Sequence, residues 1–331
     1  MSASNDQAPK PADGLVLTTR AFGWMMLTLL VAFLISNQLV VVHGWPGLQP
    51  LTGDGEVTGA VWAHVGMYLI AIAAAIAFTM STRNRALRTD ADLISGFSAY
   101  LVRGAFWAVF LIGLADMVIS FLRVEEFLVS VVGEEMAASL GRSSYRGANV
   151  HVPLLIAGFV IALFMRGLGF VWLALLIVVA ELAIVFTRFV FSYEQAFMGD
   201  LVRFWYAALF LFASAYTLLD ETHVRVDVFY AAFSLKRKGL VNAVGTILLG
   251  LTMCWVILIV GMDGKAAIIN SPVYNWEVSQ SGFGMYTKYW MAAFLGVFAV
   301  TMLVEFSAYL MSAVANWRGD PGAREVAAPV H

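Results

Sequence analysis

Residues 58–80 read TGAVWAHVGMYLIAIAAAIAFTM, a stretch without a single Asp, Glu, Lys or Arg. A helix needs about 20 mostly apolar residues to cross the hydrocarbon core of a bilayer. Seven other stretches of the chain have a similar length and character. Together with the first, these apolar runs are 21–43, 58–80, 98–121, 149–165, 168–190, 200–219, 241–262 and 284–314. The sequence therefore predicts an all-α integral membrane protein with about eight transmembrane helices.

The composition agrees with this class and excludes several others. Hydrophobic residues make up 61% of the chain and charged residues only 13%. The net charge of −2 gives no reason to expect nucleic-acid binding, and the single cysteine, Cys254, excludes an intramolecular disulfide. The sequence carries no P-loop, no His-Glu-x-x-His, no Gly-x-Ser-x-Gly and no Cys-x-x-Cys. We therefore expect no catalytic residue, no metal site and no cofactor.

The distribution of Lys and Arg predicts the orientation in the membrane. If all eight runs span and the N-terminus is cytoplasmic, 13 of the 20 basic residues lie inside and 7 outside. The loop 44–57 has no Lys or Arg, as expected of an outer loop. Both termini are therefore predicted to be cytoplasmic. Only Arg166 and Gly167 separate runs 149–165 and 168–190, so two spans and one broken helix both remain open.

Two further segments have the pattern of amphipathic helices that lie in the membrane interface. In 122–136 the apolar residues Val124, Phe127, Leu128 and Val131 recur at helical spacing, and in 224–238 an apolar stripe faces a basic end. For 122–136, an ordinary helical connection is an equal alternative. The sequence thus predicts one or two interfacial helices in addition to the spans.

Ionisable residues inside apolar runs are costly and attract functional interpretations. Asp116, Glu181, Arg203 and Glu305 are of this kind, but their spacing forms no proton or ion relay, so we interpret them as structural or interface residues. His43, His64 and His151 lie near the predicted outer face, where two imidazoles on neighbouring helices could hold a haem. Their depths match poorly, so a haem-binding redox anchor remains an alternative hypothesis only.

The second half of the chain carries a more specific set of motifs. In order, they are Thr187-Arg188-Phe189-Val190-Phe191, Ala215-Tyr216-Thr217-Leu218-Leu219, His223-Val224-Arg225-Val226-Asp227-Val228, Trp276-Glu277-Val278-Ser279 and Lys288-Tyr289-Trp290. In this order they resemble the small membrane (Q) subunit of tripartite ATP-independent periplasmic (TRAP) transporters. The resemblance covers about residues 165–318. The first four runs have no counterpart in the minimal four-helix subunit, so this chain resembles an extended N-terminal form.

The resemblance implies both a division of the chain and a role. The predicted parts are a cytoplasmic tail (1–20), an N-terminal four-helix membrane extension (21–165), a TRAP small-subunit-like four-helix domain (166–318) and a cytoplasmic tail (319–331). The implied role is a non-catalytic subunit of the bacterial inner membrane. It would steady a large, elevator-type permease subunit during sodium-coupled uptake of an organic anion delivered by a periplasmic binding protein. We expect the extension to enlarge this scaffold or to mediate assembly between complexes.

The candidate site residues are those expected at membrane boundaries or subunit interfaces. They are Arg188, Asp200, Arg203, His223, Arg225, Asp227, Trp276, Glu277, Ser279, Lys288 and Trp290. Trp276 and Trp290 suit the aromatic belt at the outer interface, and Arg225 can bind a lipid phosphate or a partner carboxylate. Besides the haem-binding anchor, a transporter that works without partners is the remaining alternative.

Overall fold

A computed structural model describes residues 13–53, 55–167, 170–193, 196–219, 230, 232–278 and 284–323. Every regular element in these ranges is helical. The long helices are α1 (Gly14–His43), α2 (Gly59–Ser81), α3 (Leu87–Val124), α6 (Ser143–Phe164), α7 (Phe170–Phe191), α8 (Ala196–Leu219), α9 (Leu235–Gly261) and α11 (Lys288–Arg318). The short ones are α4 (Leu128–Val132), α5 (Glu134–Leu140) and α10 (Asn270–Tyr274).

Among the described residues, eight helices are long and apolar enough to cross a membrane. They coincide with the eight runs predicted from sequence, which confirms an all-α integral membrane protein. Runs 149–165 and 168–190 are separate helices, because α6 ends at Phe164 and Met165 has an extended backbone. The assignment of inner and outer faces stays a prediction.

Helix α3 is much longer than the run that predicted it. It begins at Leu87 rather than near 98 and contains 38 residues. Arg103, which lay near the start of the predicted run, is therefore in the middle part of this helix. The extra N-terminal turns are polar, and their buried residue Asp90 is paired with Arg20, as described below.

The single amphipathic helix expected over 122–136 is divided in the structure. α3 continues to Val124, and α4 and α5 follow as two short helices separated by Gly133. Glu126 and Gly133 both have positive φ angles, 62° and 82°, which end regular helix at each position. Val129 and Val131 of α4 are at least half exposed, so an apolar surface is retained.

The second amphipathic segment, 224–238, falls largely outside the described residues. Its end is visible: Ser234 caps α9 by accepting a hydrogen bond from the backbone N–H of Arg237. Lys236, Arg237 and Lys238 therefore belong to the first turn of a helix that continues to Gly261. Within α9 lies Cys254, the only thiol of the chain, with no exposed surface.

The chain forms two compact units, and each combines segments from both halves of the sequence. Unit 1 contains Met1–Ser98, Thr217–Gly264 and Met302–His331, and unit 2 contains Ala99–Tyr216 and Lys265–Thr301. The division into an extension and a small-subunit-like domain stays a prediction from sequence.

Close helix approach in each unit depends on glycine. In unit 2 a Cβ at Gly158 of α6 would lie 2.7 Å from the Cα of Ala108 in α3. In unit 1 a Cβ at Gly239 of α9 would lie 2.4 Å from the backbone nitrogen of Trp317 in α11. Small residues of this kind allow backbones to pack directly where no hydrophobic effect drives helices together.

Candidate functional site

A buried polar cluster organises unit 2, and we call Asp116, Arg146, His151 and Tyr289 the Asp116 cluster. None of the four is more than 1% exposed. Arg146 Nη1 donates to Asp116 Oδ1 at 2.8 Å, and His151 Nε2 lies 3.1 Å from the same oxygen. The carboxylate of α3 is thus shared by two side chains of α6.

The second carboxylate oxygen of Asp116 reaches the segment before α11. Asp116 Oδ2 accepts the backbone N–H of Tyr286 at 2.7 Å. Because Asp116 and Arg146 come from the first half of the sequence and Tyr286 from the second, this one carboxylate joins the two halves within unit 2. Hydrogen bonds to a charged group contribute more than those between neutral groups, about 1.5–3 kcal/mol each.

The hydrogen bonds around His151 define its tautomer. Trp290 Nε1 can only donate, and it lies 3.1 Å from His151 Nδ1, so Nδ1 must accept. Asp116 can only accept as a carboxylate, so Nε2 must carry the proton that points at it. The hydroxyl of Tyr289 also lies within hydrogen-bond distance of Nδ1. Both imidazole nitrogens are therefore occupied, which leaves none for haem iron.

A π-helical segment places these α6 residues. Gly147–His151 is π-helical, which turns His151 into unit 2 one residue before the α-helix resumes at Val152. Single π turns of this kind are frequent at functional positions. No larger residue fits at position 147, because the ring of Trp276 occupies the space of a side chain. A Cβ at Gly147 would lie 2.2 Å from the ring.

Two of the predicted aromatic anchors pack into unit 2. The ring of Trp276 meets that of Tyr289 edge to face, with 5.1 Å between centroids, and the indole of Trp290 binds His151. Both indoles are only partly exposed. Whether their outer edges also meet lipid headgroups stays a prediction.

Two guanidinium groups pack on the ring of Tyr286. The Cζ atoms of Arg146 and Arg123 lie 4.1 Å and 4.7 Å from its centroid. The Tyr286 hydroxyl donates to the carbonyl of Gly141, and Arg123 donates to the carbonyl of Gly284. The ends of α3, α5, α6 and α11 in unit 2 are therefore held together by cation–π and hydrogen-bond contacts.

The remaining described candidates have looser contacts. Asp200 accepts the backbone N–H of Met285 at 3.1 Å, while its neighbour Arg203 is 75% exposed and 3.7 Å away. Arg188 lies on the exposed surface of α7. Lys288 Nζ binds Glu277 at 3.0 Å. The candidates His223, Arg225, Asp227 and Ser279 lie outside the described residues.

The hydrogen bond from Lys288 holds the pKa of Glu277 below its ordinary value of 4.5, and Ser271 adds a second hydrogen bond. A carboxylate with a lowered folded-state pKa stabilises the fold above about pH 4.5 and loses this effect as the pH falls through the lowered value. We expect Glu277→Gln to reduce the loss of thermal stability between pH 6 and pH 3. The difference should be small because the pair is half exposed. Thermal scans of wild type and variant across this range measure it.

Glu135→Gln, at an exposed position in α5, is the matched control for this experiment. A wild-type pH profile that is identical to that of Glu277→Gln would contradict the prediction.

Unit 1 has its own buried ion pair, which we call the Arg20 cluster: Arg20, Trp24, Thr82 and Asp90. Arg20 Nε lies 2.7 Å from Asp90 Oδ2, and neither side chain has any exposed surface. Arg20 also donates to the carbonyl and the hydroxyl of Thr82, and Trp24 Nε1 donates to Asp90 at 2.9 Å. This cluster joins the end of α2 to the beginnings of α1 and α3.

Unit 1 also joins the two halves of the sequence. Arg88 of α3 donates to Asn316 Oδ1 at 2.8 Å and to the carbonyl of Pro321 at 2.7 Å. Ser95 donates to Glu305 at 2.8 Å, and Arg318 forms an ion pair with Asp13. α1 and α3 are therefore tied to α11 by polar contacts.

The sequence identified Asp116 and Glu305 as ionisable residues in apolar runs but not their partners. Asp116 and Arg146 are 30 residues apart, and no motif marks the pair. Glu181, singled out with them, is exposed on α7. Among the described residues no group of three or more His, Cys, Asp or Glu side chains is placed to hold a metal ion.

One comparison with known proteins gives a match. A family model described as "Tripartite ATP-independent periplasmic transporters, DctQ component" matches residues 175–316. No curated protein and no solved structure matches the chain. The match covers most of α7, all of α8, α9 and α10, and most of α11, and it leaves α1 to α6 outside the family model.

Proposed function

Because residues 175–316 match the model of the DctQ component family of tripartite ATP-independent periplasmic transporters, we propose that this chain braces the large permease subunit of such a transporter. The family implies a small permease subunit in the inner membrane, and the eight long apolar helices fit a multi-pass protein there. The finer proposal is that the partner moves as an elevator, couples to sodium and receives an organic anion from a periplasmic binding protein. In this proposal the chain catalyses no reaction and transports nothing alone.

The observation that carries the bracing role is the pair of buried ion clusters. A brace must keep its shape while its neighbour moves, and each compact unit has an arginine–aspartate pair with no exposed surface. Buried polar networks rigidify a fold to the extent that their groups are satisfied. Both arginine–aspartate pairs are closed here, while Arg146 Nη2 and Asp90 Oδ1 have no hydrogen bond within the described residues. Both units also join the extension to the DctQ segment through side-chain contacts, as described above. The extension is therefore proposed to be part of the brace.

Helix α7 offers the proposed contact with the large subunit. Leu182, Phe186 and Phe189 follow one another at helical spacing and are 62%, 59% and 81% exposed. α7 is also the least buried of the eight long helices. We propose that this stripe, the α7 face, packs on the large permease subunit.

Two measurements test the proposed function: co-purification of the large permease subunit with this chain, and substrate uptake by liposomes. We expect the tagged chain, isolated in mild detergent from cells that carry the neighbouring genes, to bring with it a larger hydrophobic subunit. Liposomes that contain only this chain should show no uptake. Uptake by this chain alone would instead support a transporter that works without partners. A haem absorbance band in the pure protein would support the redox alternative.

For the α7 face we expect Phe186→Ala with Phe189→Ala to reduce recovery of the large subunit several-fold. Removing two large side chains takes away the packing contacts that hold helices together in lipid. Phe164→Ala is the control, because Phe164 is 80% exposed but lies on α6. Quantitative immunoblotting of the recovered subunit is the measurement, and an unchanged ratio in the double variant would remove α7 from the contact.

The boundary residues His223, Arg225 and Asp227 are a second proposed contact, which rests on the motif alone. We expect Arg225→Glu and Asp227→Lys each to lower recovery of the large subunit, because both reverse a charge where a partner carboxylate or arginine would bind. Arg237→Glu, at an exposed position in the first turn of α9, is the control. If both variants recover as much of the large subunit as the wild type, the motif at residues 223–227 is not a contact with that subunit.

A further inference from the structure

An apolar groove of about 490 Å³ runs along the first three helices within unit 1. We call it the extension groove. It opens to the surface of the protein, and none of its lining residues lies in the segment that matches the DctQ family. α1 contributes Trp24, Leu27, Thr28, Val31, Ala32 and Ile35. α2 and α3 complete the walls.

The floor of the groove is formed by two alanines and by Ile94, which is 1% exposed, and its rims by larger exposed side chains. Ala32 and Ala71 are buried at 3% and 7% exposure. Val31, Ile70 and Phe97 are 56%, 70% and 50% exposed. Such an arrangement makes a slot that suits a slender apolar chain better than a helix with its side chains.

The length of the groove matches one leaflet of a bilayer. On α1 it extends from Trp24 to Ile35, which is about 16 Å at 1.5 Å per residue. The hydrocarbon core is about 30 Å thick, so the groove covers roughly half of it.

One end of the groove carries positive charge. Phe78 follows the lining residue Ala74 by one helical turn, and its ring packs on Trp24 with 4.7 Å between centroids. The guanidinium of Arg85 lies over the same ring, 5.9 Å from its centroid. The side chain of Arg85 is 41% exposed, and Arg83 beside it is exposed as well.

The acid next to Arg85 does not neutralise this end. Asp90 lies 3.6 Å from Arg85 but is bound more closely, at 2.7 Å, by the buried Arg20. Asp90 therefore carries one negative charge against two guanidinium groups, so a net positive charge remains at this end. An apolar slot of one leaflet's depth that ends at two arginines has the chemistry of a phospholipid site.

We propose that the extension groove holds one acyl chain of an anionic phospholipid whose phosphate binds Arg85 and Arg83. The alternative occupant, a second copy of this chain, would have to bring both an apolar surface to fill the groove and an acidic side chain to pair with Arg85 and Arg83. An anionic phospholipid supplies the charge, through its headgroup, and the apolar acyl chain in one molecule.

Native mass spectrometry of the full-length, delipidated protein tests this. The probes are phosphatidylglycerol and phosphatidylcholine with identical acyl chains. We expect one tightly bound phosphatidylglycerol, preferred about fivefold or more over phosphatidylcholine, which corresponds to the effect of one arginine near an anionic headgroup.

Two variants separate the headgroup from the acyl chain. Arg85→Gln combined with Arg83→Gln should lower the affinity for phosphatidylglycerol to that for phosphatidylcholine, and Arg85→Gln alone should remove part of the preference. Arg166→Gln, at an exposed position after α6, should not change it. Ala74→Phe should fill the groove and remove the tight adduct of both lipids. Ala73→Phe, an exposed neighbour that does not line the groove, should leave the adduct intact.

Equal affinities for both lipids in the wild type would overturn the proposal, as would an unchanged adduct in both Arg85→Gln and Ala74→Phe. Light scattering that shows a dimer in the wild type and a monomer in Ala74→Phe would assign the groove to a second copy and also overturn it. None of these outcomes depends on the transport function proposed above.

Discussion

Replacing Asp116 by leucine is expected to lower the stability of the protein by about 3–5 kcal/mol, the usual cost of leaving one partner of a buried ion pair alone. The change leaves the guanidinium of Arg146 buried without its carboxylate. It also takes the acceptor from His151 Nε2 and from the backbone N–H of Tyr286. In a protein of this size the loss corresponds to a fall of roughly 10 °C in the unfolding temperature.

The double variant Asp116→Leu with Arg146→Met separates lost packing from an unpaired charge. Because two apolar residues can replace a buried ion pair at little cost, the double variant should be more stable than Asp116→Leu alone. The single variant Arg146→Lys should be less stable than the wild type. An ammonium cannot reproduce both the contact of Nε with Leu140 and that of Nη1 with Asp116.

Differential scanning fluorimetry in detergent is the measurement for this series. Arg203→Met is the control, because Arg203 is mostly exposed and 3.7 Å from Asp200. If the Asp116→Leu protein unfolds at the same temperature as the wild type, the Asp116 cluster does not stabilise unit 2.

Deletion of residues 1–150 is expected to abolish folding of the remaining segment, although that segment contains the whole DctQ match. The deletion removes Asp116 and Arg146 and so leaves His151 and the backbone N–H of Tyr286 without these partners. It also removes Ser95, the hydrogen-bond donor to Glu305 in α11. Buried polar groups that lose their partners bear their full desolvation cost.

Fluorescence-detected size-exclusion chromatography of the tagged segment 151–331 measures this result. We expect aggregated or degraded material and no monodisperse peak. Co-expression of residues 1–150 as a separate chain is the control, and it should restore the peak. A monodisperse segment that still recovers the large permease subunit would show that the extension is an independent addition to the family domain.

The helices were predictable because length and apolar character determine a spanning segment, as in 58–80. The beginning of α3 at Leu87 was not, since Arg88 and Asp90 look like loop residues until their partners Asn316 and Arg20 are known. The helix predicted over 122–136 was wrong as a single element. Its apolar spacing was counted across the break at Glu126, its predicted range also included Gly133, and spacing carries no information on φ.

The partners within the polar clusters could not be predicted from the sequence for a different reason. Asp116 was interpreted as a structural or interface residue because a charge inside an apolar run is costly. The choice of Arg146 and His151 depends on how α3 and α6 pack, and the family resemblance covers only the later part of the chain. His151 was considered for haem because it lies, with His43 and His64, near the predicted outer face, where two imidazoles could bind the iron. Its partners Tyr289 and Trp290 are 138 and 139 residues away.

The burial of Cys254 makes this chain convenient for spectroscopy. It is the only thiol, and it has no exposed surface, so maleimide dyes and nitroxide labels should react only with cysteines introduced elsewhere. A label on the exposed side of α7 could then report on distances to a labelled partner during turnover, with the native sequence otherwise unchanged. The proposed static behaviour of the brace would be visible as a constant internal distance while the distance to the moving subunit changes.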